Sequence, residues 1–173
     1  MIQIDRQLTP QHLVSKIQQL FSLSAHKILR LQKSWNPSKG TPVVTAGGTY
    51  TSRGWTEWTQ GFQFGSALLQ YDTTDEQQFL ALGRQNTLNY MATHLTHVGV
   101  HDHGFNNIST YGNLLRLILA KRILEDPWEK HFYELALKVS GAVQAARWMS
   151  LPEGLGYIYS FNGPHSLFAD TIR

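Results

Sequence analysis

The sequence predicts an all-α chain built of stacked helical hairpins, and three observations carry that prediction. Apolar residues recur in steps of three and four through six separate segments. Proline, glycine and capping residues mark where those segments start and stop. The connections between them alternate short and long, as they do when neighbouring helices pair and successive pairs stack.

The first helix is expected over residues 10–35. Thr9 offers a cap, Pro10 suits the first helical position, and Leu13, Ile17, Leu20, Phe21, Ile28 and Leu31 follow at helical spacing. Asn36-Pro37 and Gly40 end it, and 43–54 reads as an irregular, partly extended loop. A second helix is expected over 56–71, with Trp58, Phe62, Gly65 and Leu69 on one face. Thr74 and Gln77 have capping-box spacing, so a third helix should run from there to about His94. Residues 100–113 read as a polar loop. "LLRLILAKRIL", apolar on nearly every side, predicts a fourth helix buried between layers. Asp126-Pro127 caps a fifth, whose periodicity through Trp128, Phe132, Leu135, Val139, Ala142 and Ala146 is the clearest in the chain. After a loop with a short extended piece, "HSLFADTIR" reads as the first turns of a sixth helix.

With 173 residues, 42% of them hydrophobic, there is enough apolar surface for one domain with a core. Fifteen Lys and Arg stand against twelve Asp and Glu, a net charge of +3 with no basic run, which argues against a nucleic-acid reader and suits a small anionic ligand. Cysteine is absent, which removes disulfides and thiolate metal sites. "MIQIDRQLTPQHLV" lacks the basic-then-apolar order of a secretory signal, and no apolar run reaches the roughly 20 residues a membrane span needs. The expectation is therefore a soluble, cytoplasmic protein with no membrane partner. Five Trp and seven Tyr supply flat faces for a core or for stacking on sugar rings.

The stretch most able to carry chemistry is "VHDHGFNNISTYGN", in which His101 and His103 flank Asp102. Read as a metal site it is short of ligands: His94 and His97 fall where a helix C-terminus is expected, and no further His or Glu pair stands at ligand spacing. Neither a metal nor another cofactor is expected. Among the carboxylates most lie at caps or on solvated faces, while Asp102 sits among hydrogen-bond donors and Asp170 among apolar neighbours with Arg173 near by. Two readings stay open on these residues alone. Either the pair forms an acid and base whose proton affinities are set by burial and mutual repulsion, or Asp102 satisfies turn amides and Asp170 pairs with Arg173.

Three segments together carry a resemblance. "WTQGFQFGSALLQY" from Trp58, "HDHGF" from His101 and "DTIR" from Asp170 resemble, in that order, segments of the unsaturated glucuronyl hydrolases and related six-hairpin glycosidases. The resemblance implies an (α/α)6 toroid of twelve helices, of which residues 1–173 would form an incomplete, N-terminal half. It also implies a reaction on oligosaccharides ending in a 4,5-unsaturated uronic acid. One aspartic acid protonates C4 and, as carboxylate, takes a proton from the water adding at C5; the hemiketal then collapses. By position Asp170 would be this acid and base, and Asp102 would tune its proton and hold the sugar. Trp58, His101 and Phe105 would line the sugar pocket. A half barrel exposes apolar helix faces, so a homo-oligomer, or association with the other half, is expected along with low activity of this chain alone.

Overall fold

A computed structural model describes residues 7–52, 58–99 and 101–166. They fall into two compact units, 1–35 and 36–173. The first is one helix, α1 (Pro10–Ser34), begun by proline at its first turn, as expected. Thr9 N–H donates to His12 Nδ1 at 3.1 Å, so a histidine fills the reciprocal place that glutamate usually takes in a capping box. None of the residues of α1 is buried, and Leu13, Ile17 and Leu20 are exposed.

The second unit is mainly helical, with two short hairpins. Where an irregular loop was expected, β1 (Pro42–Ala46) pairs antiparallel with β2 (Thr49–Ser52), Ala46 facing Thr49. Gly47 and Gly48 connect them with φ of 55° and 75°, the left-handed conformation at both positions that a tight two-residue hairpin requires. The helices that follow are α2 (Gln60–Thr74) and α3 (Gln77–Tyr90), the latter extended by a short 3₁₀ turn, Ala92–His94. Thr74 does not cap α3. It remains in α2, where its hydroxyl donates to Gln70 O at 2.9 Å, and the chain reverses at Asp75, whose φ is 59°.

The largest departure from expectation lies at 100–113. In place of a loop, Gly104–Gly112 is a π-helix that runs directly into α4 (Asn113–Leu119). α4 is therefore shorter than "LLRLILAKRIL" and is not buried all round. Leu114, Leu117 and Ile118 are buried, Leu119 is exposed, and the helix ends before Lys121, whose φ is 56°. α5 (Pro127–Ala145) starts as read: Asp126 accepts from Trp128 N–H at 2.8 Å and Glu129 N–H at 3.0 Å. A second hairpin, β3 (Trp148–Ser150) and β4 (Gly156–Ile158), follows. The expected sixth helix, with Leu167, Phe168, Asp170 and Arg173, lies outside the described residues apart from His165 and Ser166, which are in a turn.

The core of this unit joins Phe64, Leu68 and Tyr71 of α2, Phe79 and Leu80 of α3, Tyr111 of the π-helix, Leu114 and Leu117 of α4, and Tyr133 and Ala136 of α5. Burying each large side chain stabilises by about 1.5–3 kcal/mol relative to leaving it in water. The π-helix is central, packed by α2 and α5. α2 approaches it backbone to backbone: a Cβ at Gly61 would lie 2.7 Å from Asn106 O, and one at Gly65 would lie 3.1 Å from Ser109 C. This turns α2 relative to the expected face. Gly61, Phe64, Gly65 and Leu68 point inward, while Trp58, Phe62 and Leu69 are exposed. α5 is likewise rotated: its buried residues are Tyr133, Ala136 and Ser140, and Trp128 is 72% exposed. Among the described residues no helix is long and apolar enough to cross a membrane.

Candidate functional site

The site grows from the polar residues that opened as a loop in the sequence. A π-helix spaces its carbonyls and amides differently from an α-helix, and short polar side chains near it can hydrogen-bond what is displaced. Thr110 Oγ1 donates to Asn106 O at 2.7 Å, and Asn113 Nδ2 donates to Ser109 O at 3.0 Å. Asn106 Oδ1 accepts from Gly61 N–H at 2.9 Å, which satisfies an amide in the first turn of α2. Asn106, Asn107 and Thr110 are fully or nearly fully buried, and the helix entry at His101-Asp102-His103 is buried with them.

His103 is held by a chain of bonds that leaves one assignment of protons. Its Nε2 is 2.8 Å from His97 O, an acceptor, so Nε2 carries the hydrogen. In the neutral ring Nδ1 then accepts, and Ser140 Oγ donates to it at 2.9 Å. Ser140 in turn accepts from Asn107 Nδ2 at 2.9 Å, and the same amide reaches His94 O at 3.3 Å. Burial, the largest cause, pushes the His103 pKa down, in keeping with a neutral ring. His94, 1% exposed, lies 2.5 Å from Gln60 Oε1 through Nε2. Its pKa falls from the ordinary 6.5 to about 4, first through burial and then through His97 and His103 beside it. His94 does fall at a helix end, as expected, in the turn Ala92–His94 that extends α3. It is a neutral core histidine, tying the end of α3 to the start of α2.

On the other side of the π-helix entry stands Asp102, 8% exposed. His101 Nδ1 accepts from Phe161 N–H at 3.3 Å, which puts the ring hydrogen on Nε2, 3.6 Å from Asp102 Oδ1. The His101 ring stacks on Phe161 with centroids 5.1 Å apart, and Gln144 Nε2 donates to His101 O at 2.6 Å. Arg147, also buried, bonds through Nη2 to Val98 O. The carboxylate thus faces an imidazole N–H whose ring is held by the end of α5 and the segment beyond β4.

Aromatic faces lie beside it. Phe105, one turn along from Asp102, is 5.7 Å from Trp58 and 4.9 Å from Phe62, and Trp58 meets Phe62 edge-on at 5.8 Å. Trp58 and Phe62 are each 41% exposed. Of the residues singled out in the sequence, His101 faces Asp102, and Trp58 meets Phe105 three residues further along the chain; Asp170 lies outside the described residues. Among the described residues no group of three or more His, Asp or Glu side chains is placed to hold a metal ion. Gln60, His94, Asn107, Ser140, Gln144, Arg147 and Phe161 belong to the surroundings and were missed. Ser140 and Gln144 carried a signal, polar residues four apart in the otherwise apolar last turns of α5.

Chemically, a carboxylate at a helix entry can accept hydrogen bonds from hydroxyls, and partly exposed aromatic rings can cover an apolar face of a ligand. No family model matches the chain, and no match emerges among curated proteins or solved structures.

Proposed function

We propose that the chain forms the N-terminal half of a six-hairpin glycosidase that acts on oligosaccharides ending in an unsaturated uronic acid, by hydrating the 4,5 double bond. The observation that carries this reading is the setting of Asp102: a nearly buried carboxylate at the entry of a helix, His101 N–H toward it, and Phe105 one turn on, in tilted contact with Trp58. The segments bearing Trp58 and Asp102, brought together here, are two of the three that resemble the glucuronyl hydrolases. In this reading Asp170 donates a proton to C4 and takes one from water at C5, while Asp102 repels charge on Asp170, so that the acid stays protonated until it is needed. Trp58 and Phe105 line the sugar site, and the toroid is completed by helices beyond these.

The test follows the ultraviolet absorbance of unsaturated uronide disaccharides, with the chain alone and with whatever its reading frame encodes beyond Arg173. Asp170→Asn is expected to slow decay by about 100-fold or more, the low end of what general acid catalysis contributes. Equal decay for wild type and Asp170→Asn would remove Asp170 from the chemistry. A second reading, a non-catalytic helical module that binds sugar or protein, draws support from Asp102 being faced by the chain's own His101. Absence of decay from every unsaturated uronide would favour that module.

A further inference from the structure

Beyond β4 the chain makes a tight turn, Ser160 to Gly163, that is tied down at both ends. Gly163 N–H donates to Ser160 O at 3.0 Å, and its φ of 90° is a conformation that glycine adopts without a Cβ clash. Ser160 is buried, and its Oγ accepts from Asn162 N–H at 3.3 Å. Before the turn Tyr159 N–H donates to Arg147 O at 3.2 Å, and after it Pro164 O accepts from the Tyr157 hydroxyl. Phe161 sits inside this turn and is 58% exposed, so burial of its own ring does little to explain a phenylalanine there.

Two contacts from Phe161 reach the His101 ring. The amide N–H donates to Nδ1 at 3.3 Å, and the phenyl ring stacks on the imidazole with centroids 5.1 Å apart and planes 23° from parallel. Each fixes a different freedom: the stack sets the plane of the imidazole, and the amide sets which nitrogen points back toward the turn. The other nitrogen, Nε2, is then left 3.6 Å from Asp102 Oδ1, just beyond hydrogen-bond length. Gln144 Nε2 holds the backbone of the same residue, donating to His101 O at 2.6 Å. A neutral imidazole carries one hydrogen, and a donor facing Nδ1 places it on Nε2. We propose that Phe161 is a positioning residue of the site: its amide and its ring together hold His101 as the Nε2–H tautomer, with that N–H turned toward the Asp102 carboxylate. A donor oriented in advance needs no reorganisation when a ligand arrives at the carboxylate, which is the condition under which fixed dipoles act most strongly.

The role rests on reading Asp102 as the carboxylate of the site, but its test needs no substrate. Long-range proton–nitrogen NMR spectra of the His101 ring are recorded at about pH 8.5, where an ordinary imidazole is neutral. The wild-type spectrum is expected to show Nε2 protonated and Nδ1 bare; a hydrogen on Nδ1, or one averaged over both nitrogens, overturns the proposal. Phe161→Leu, which keeps the amide and loses the stack, should leave the hydrogen on Nε2. Phe161→Pro, which removes the amide hydrogen, should cut the preference for Nε2–H by about fivefold, the weight of one ordinary hydrogen bond. An unchanged ring spectrum in folded Phe161→Pro overturns the proposal. Should that variant fail to fold, Asp102→Asn leaves the turn intact: the Nε2 nitrogen shift must move while Nδ1 keeps its value, and an unmoved Nε2 overturns the proposal equally. The expected tautomer without uronide turnover counts against the glycosidase reading alone; turnover with the hydrogen on Nδ1 counts against Phe161 alone.

Discussion

Two glycine-to-alanine substitutions should move stability in opposite directions, although both lie inside helices and differ from wild type by the same methyl group. Gly65 is in the middle of α2, where a Cβ would fall 3.1 Å from both Ser109 C and Ser109 Cβ and nearer still to Ser109 O. Those are mostly backbone atoms of the π-helix, so a whole segment has to shift. Gly141, in α5, has nothing within 4 Å of an added Cβ. Alanine gains about 0.5–1 kcal/mol over glycine in a helix interior, which is the whole effect expected for Gly141→Ala. At Gly65 the same gain opposes an overpacking cost of about 1–3 kcal/mol, taken toward its upper end because backbone must move. The net expectation is a loss of about 1–2 kcal/mol. At about 2–4 °C per kcal/mol for a chain of this size, Gly141→Ala raises Tm by about 1–4 °C and Gly65→Ala lowers it by about 2–8 °C. Differential scanning calorimetry measures both. A Gly65→Ala protein as stable as wild type, or more so, would refute the close approach of α2 to the π-helix.

Acid should weaken the fold partly through His94. Its pKa is lowered from 6.5 to about 4 on folding, so between those values the unfolded chain binds the extra proton; stability is intact above about pH 6.5 and declines as pH falls toward 4. Between pH 7 and 4.5 that amounts to about 2 kcal/mol, and urea midpoints for His94→Gln should lose correspondingly less over the same interval; parallel losses would exclude His94 as a source. Ser140→Ala and Asn107→Ala should each destabilise by about 1–3 kcal/mol, since each leaves a buried partner short of a bond. Because both belong to one chain of bonds, the double substitution should cost less than the sum by at least about 0.5 kcal/mol; strict additivity would mean that the bonds at His103 are not coupled.

Much of the second unit's helical outline was readable in advance, but its inward faces were not. Proline at the first turn and an aspartate before it are rules of covalent geometry and of local hydrogen bonding, so the starts of α1 and α5 were legible from Thr9-Pro10 and Asp126-Pro127 alone. Gly47-Gly48 between runs of valine and threonine held an equally local hairpin signal that the loop reading passed over. Periodicity located α2 and α5, yet both are rotated from the face it picked out. Trp58 and Trp128 look like core residues by composition and are exposed, because hydrophobicity says only that burial would be favourable and not which neighbour is there to provide it.

Residues 100–113 show the same division more sharply. Their asparagines, hydroxyls and histidines locally favour turns, and the polar reading was sound as far as local chemistry reaches. Whether they form a loop or a buried helix depends on partners distant in sequence: Gly61 N–H for Asn106, Ser140 for His103, Phe161 for His101. By itself the sequence determined where α1 and α5 begin and that Asp102 stands among polar groups. Only the tertiary structure decided that those groups turn inward as a π-helix, with Ser140 at His103 and Phe161 at His101, because a buried polar residue is stable only once its distant hydrogen-bond partner is in place.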